Sequence, residues 1–79
     1  MKLPRDLSGE QLARLLCTQW GYVRSHQSGG HIVLDTHEPS RHRIAIPAHA
    51  GLRIGTLNGI LRSVAEHKGV PRETILRTL

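Results

Sequence analysis

Cysteine is nearly absent: Cys17 is the only one among 79 residues. A single thiol excludes an internal disulfide and any multi-cysteine zinc site, and it suits a reducing compartment. Long apolar runs are missing too. Nothing approaches the ~18 residues that span a bilayer, so no membrane partner is expected. The start, Met1-Lys2-Leu3-Pro4-Arg5-Asp6, lacks the apolar stretch of a secretory signal, and a cytoplasmic location is expected. Repeats, linkers and low-complexity segments are absent. At this length the chain is read as one domain, 1–79, which excludes a two-domain enzyme with a closed cleft. So small a chain buries only ~60–65% of its unfolded surface, and its core is a thin layer between a few elements.

Acidic residues are few, six against eleven basic, for a formal net charge of +5. All the basic residues except Lys2 and Lys68 are arginine, whose planar fork suits phosphate or carboxylate. They are spread along the chain, so there is no basic tail. The expected partner is anionic, nucleic acid or an acidic protein, and charge alone does not separate the two.

Ser8-Gly9-Glu10-Gln11 has the spacing of a capping box. Leu12, Leu15, Leu16 and Trp20 follow on one helical face, and Gly21 supplies a left-handed stop. The spacing predicts a helix over about 9–20. Tyr22–His26 and the β-branched run His31–Thr36 flank Gly29-Gly30, the signature of a hairpin. His42–Pro47 alternates with period two after a turn at Pro39. Leu57, Ile60, Leu61, Val64 and Ala65 mark a second helix over about 55–68, closed by Gly69. Gly59 inside it costs ~1 kcal/mol against Ala, and close packing is the expected reason for it. Pro71-Arg72-Glu73 can open a short last helix. The order is α-β-β-β-α with a terminal α, an α+β fold. Its three-stranded antiparallel meander is covered on one face by the helices, Ile32, Leu34, Ile44 and Ile46 meeting Leu57, Ile60, Leu61 and Val64.

Little in the chain has the pattern of a catalytic or metal site. The six histidines, at 26, 31, 37, 42, 49 and 67, make no His-x-x-x-His or His-x-His pair, so no metal site is expected. They read as scattered surface histidines. Cys17, beside the leucine stripe, reads as a half-buried, inert thiol. No nucleophile elbow, phosphate loop or paired carboxylates are present, and Gly51-Leu52-Arg53-Ile54-Gly55-Thr56 lacks the Lys of a phosphate loop. His31 remains. It follows two glycines and alternates with Ile32 and Leu34, so it falls on the open face or rim of the sheet. An imidazole there can approach a phosphodiester and move a proton near neutral pH. Spacing alone also fits a solvated strand-end histidine.

Four stretches in order carry a family resemblance. They are Trp20-Gly21-Tyr22-Val23, Ser28-Gly29-Gly30-His31, Ile44-Ala45-Ile46-Pro47-Ala48-His49 and Ile54-Gly55-Thr56-Leu57-Asn58-Gly59-Ile60-Leu61. From Leu12 on, the chain resembles the HicA (YcfA-like) toxins of bacterial toxin–antitoxin pairs. It departs from them at Gly30, where Ser is usual, and at Ile32, where a second His is common. The resemblance implies a fold similar to double-stranded-RNA-binding domains. It also implies a metal-independent endoribonuclease that cleaves messenger RNA, an mRNA interferase without a cofactor, using His31 as its single catalytic histidine. The implied partners are single-stranded messenger RNA and a HicB-type antitoxin. Arg24, Gly29, Gly30, Arg43 and His49 are the candidate RNA contacts. Two rivals stand beside this reading: a non-catalytic RNA-binding module of the same fold, and a pure protein-interaction domain.

Overall fold

Ser8 opens the first helix by accepting the Gln11 amide at 3.0 Å, while its own amide donates to the Gln11 side chain at 2.9 Å. This reciprocal pair satisfies two of the amides that every helix start leaves without partners. The structure is a computed structural model and describes residues 6–79. The helices are α1 (Gly9–Gln19), α2 (Ile54–Lys68) and α3 (Arg72–Leu76), and the strands are β1 (Val23–Ser28), β2 (His31–Thr36) and β3 (His42–Pro47). The sheet is antiparallel in the order β1-β2-β3, so β2 is central and both outer strands are edges. The fold is α+β, with the α-β-β-β-α order expected from the sequence.

The two periodicities meet in one layer. Ile32, Leu34, Ile44 and Ile46 from the sheet join Leu12 and Leu16 of α1 and Leu57, Leu61 and Val64 of α2 in a single buried cluster. Ile60 is only partly buried and packs at its margin. Ile75 and Leu76 of α3 close the layer at its end. The helices therefore cover one face of the sheet and leave the other open. None of the helices in the described residues is long and apolar enough to cross a membrane.

Three details differ from the sequence reading. Strand β1 runs two residues further, to Ser28, so the hairpin turn is Gly29-Gly30 alone. Gly29 takes φ +58°, a left-handed conformation that a side chain would strain. Gly59 is not closely packed: a Cβ there would meet open space, and nothing in the structure explains the glycine. The close approach lies instead at Gly9, where a Cβ would sit 1.9 Å from the Pro47 carbonyl oxygen. That contact, together with the Gly9 amide donating to the His49 carbonyl at 3.0 Å, docks the start of α1 on the end of β3.

Candidate functional site

The open face of the sheet is built from alternate residues of three strands. His31 and Val33 of β2 stand there with Arg43 and Ala45 of β3 and His26 and Ser28 of β1. Together with Ile44 they line a shallow groove of about 510 Å³. Val33 is only 7% exposed although the helices lie on the other face. Its cross-strand partners His26 and Ala45 shelter it and give the groove an apolar floor between polar walls.

His31 begins β2 at the hairpin, opposite Ser28 on one side and Pro47 on the other. It is exposed, and its ring makes no hydrogen bond among the described residues. Beside it, the Gly30 carbonyl accepts the Ala48 amide at 2.7 Å, which pins the turn to the segment after β3. A Cβ at Gly30 would meet nothing within 4 Å, so the turn leaves open approach to His31.

Arg43 clasps Asp35, its register partner, through Nε at 2.7 Å and Nη2 at 3.1 Å. The guanidinium holds the Asp35 carboxyl below the usual carboxylate range, with a smaller contribution from the Ser25 hydroxyl. The remaining Arg43 nitrogen, Nη1, is not engaged among the described residues. The pair fixes the plane of the arginine fork and leaves one edge of it for an anion.

The other expected contacts are placed differently. Arg24 pairs with Leu34, a core-facing residue, so its side chain leaves the sheet on the helix side. There it meets Glu10 of α1 with both terminal guanidinium nitrogens, one at 3.3 Å. Glu10 is held below its usual pKa by that arginine. Arg24 is thus an ion-pair partner on the far face and does not join His31. Gly29 and Gly30 form the rim beside His31. His49 lies in the same end of the molecule, exposed, but outside the groove lining.

No family model, no curated protein and no solved structure matches the chain. The chemistry is therefore carried by the groove itself. It offers imidazoles, one arginine edge and a hydroxyl over an apolar floor. Those groups suit a phosphodiester with a base or ribose resting on the floor. Among the described residues no cluster of three or more His, Cys, Asp or Glu is placed to hold a metal ion.

Two groove residues were not singled out from the sequence, His26 and Ser28. Their signal is weak because it lies in the strand register and not in a motif. A second cluster has a different character. His42 at the start of β3 spends Nδ1 on the Tyr22 hydroxyl at 3.0 Å and Nε2 on Ser63 at 3.4 Å, and its ring stacks on His67 at 4.3 Å. Burial pushes the Tyr22 phenol up to about 12, so it stays protonated. His67 in turn meets the Ser40 carbonyl, and Lys68 donates to Thr36 and the Glu38 carbonyl. With both nitrogens committed, His42 ties the start of β3 to α2 and to Tyr22, while His67 and Lys68 hold the β2–β3 turn. Cys17 is half-buried beside the core, and burial raises its thiol pKa, which fits an inert thiol.

Proposed function

We propose that the chain is a metal-independent endoribonuclease of the HicA type, acting on single-stranded messenger RNA in the cytoplasm and held in check by a HicB-type antitoxin. The observation that carries this reading is His31. It is an exposed imidazole with no hydrogen bond among the described residues, at the head of a groove that also holds Arg43. An imidazole kept for the fold would be expected to spend its nitrogens as His42 does. His31 is available to take a proton from a ribose hydroxyl, while the Arg43 edge faces the phosphate charge. The contacts to the backbone are sequence-blind, as in other single-strand binders.

The test is cleavage of a long messenger transcript, in excess EDTA, by the wild-type protein and by His31→Ala. Wild type is expected to cut and the variant to lose ~10²–10⁴-fold in rate at an unchanged melting temperature, since an acid/base group is lost without opening a cavity. Equal cleavage by both would overturn the assignment. RNA retained without cleavage by wild type would favour the non-catalytic module.

A further inference from the structure

The face that bears His31 carries a second imidazole, brought there by an irregularity in β1. Val23 lies opposite Asp35 and Arg24 opposite Leu34; the register then skips Ser25, so that His26 opposes Val33 and Ser28 opposes His31. Arg24 is on the helix side, and strict alternation would keep His26 on that side as well. One extra residue turns the rest of the strand over, as a β-bulge does. His26 and His31 thereby become diagonal cross-strand neighbours, positions with Cα atoms ~7–8 Å apart and within reach of long side chains. Both line the same groove.

The bulged residue also orients the ring. Ser25 Oγ lies 3.1 Å from His26 Nδ1. An imidazolium carries hydrogen on both ring nitrogens, so Nδ1 donates to the hydroxyl oxygen and Nε2 is the nitrogen left for substrate. His31 has no such partner among the described residues.

We propose that His26 is the general acid that complements His31 as general base, making the cleavage a transesterification. The proposal rests on the ribonuclease reading and replaces the sequence view of His26 as one more surface histidine. In the step, His31 takes the proton of the ribose 2′-hydroxyl and a bond forms from that oxygen to phosphorus. The bond from phosphorus to O5′ breaks, its electron pair leaves with O5′, and His26 supplies the proton. The products are a 2′,3′-cyclic phosphate and a 5′-hydroxyl. No metal, water or redox partner is consumed. Ser25 is a positioning residue for His26, and Arg43, held by Asp35, offers Nη1 as the edge for a non-bridging oxygen.

The experiment maps one cleaved bond in a transcript, then places it in two oligoribonucleotides, one natural and one with sulfur in place of the bridging O5′. A thiolate departs without protonation, so it needs no general acid. His26→Ala is expected to lose ~10²–10⁴-fold on the natural bond and to come within about tenfold of wild type on the sulfur bond. His31→Ala is expected to fail on both. Ser25→Ala keeps both rings and is expected to lose more on the natural bond than on the sulfur bond, because His26 loses the hydroxyl that holds Nδ1. Natural-bond cleavage by His26→Ala at the wild-type rate would overturn the proposal and leave His31 standing. So would an equal loss on both bonds, in His26→Ala or in Ser25→Ala. Absence of RNA cleavage by wild type would overturn both this proposal and the ribonuclease reading beneath it.

Discussion

His42 and His31 are the same residue type in the same sheet, and the groups around them separate their roles. His42 is enclosed by Tyr22 ahead of β1, by Ser63, His67 and Lys68 of α2, with Glu66 in the same hollow. Its pKa is lowered first by burial, then by the charges of His67 and Lys68. The unfolded chain therefore binds a proton at His42 that the folded chain resists. Stability from this residue is complete above ~6.5, the pH at which a free imidazole titrates, and is lost as the pH falls through the folded value. Melting temperature should fall between pH 7 and pH 5, and His42→Gln, which cannot titrate, should show a shallower slope from a lower starting point. An identical slope in the variant would exclude His42 as the cause. Asp35 and Glu10 have lowered pKa values, so their contribution is lost only at more acid pH, as carboxylates become protonated.

At the scale of elements, α2 shows what a helical period can and cannot settle. Its spacing of Leu57, Leu61 and Val64 predicts a buried stripe, and all three are fully buried against the sheet. Leu61→Ala should cost ~2–5 kcal/mol by leaving a cavity, read as a lower denaturant midpoint at equal slope. An unmoved midpoint would contradict the packing. The same period contains Gly59, for which a packing reason was expected and none exists. Gly9 is the glycine that packing requires, because α1 and the end of β3 touch backbone to backbone. Such a contact joins residues distant in sequence, and no local pattern signals it. The bulge at Ser25 belongs with it: β1 looks regular until it is paired with β2.

For the whole molecule, charge sets how RNA would be held. Arg14, Arg24 and Arg72 are already paired with carboxylates and Arg43 keeps only its Nη1 edge, so the net charge of +5 overstates the arginines left for phosphate. Arg41, Arg53, Arg62 and Arg77 are exposed and make no ion pair among the described residues. With about three phosphate contacts, the slope of affinity against salt would be roughly −0.7 for each. Binding of single-stranded RNA by His31→Ala should thus weaken on the order of tenfold between 50 and 200 mM salt, measured by fluorescence anisotropy. Salt-independent binding would exclude phosphate contact as the source of affinity.

The sequence by itself determined the elements, their order and the core face. Capping boxes, glycine stops and the periods of two and 3.6 act within a few residues, and the energy that selects them is local. It also placed His31 on the open face or rim, since it alternates with Ile32 and Leu34 of its own strand. What only the tertiary structure decided was register and reach. The skip at Ser25 put His26 beside His31, and the register opposite Leu34 left Arg24 on the helix side, where Glu10 holds it. Tyr22 and Ser63 took both nitrogens of His42. Each depends on which residue of one element lies opposite which residue of another. A shift of one position in a strand reverses every side chain beyond it, so that choice is settled only when the whole core packs.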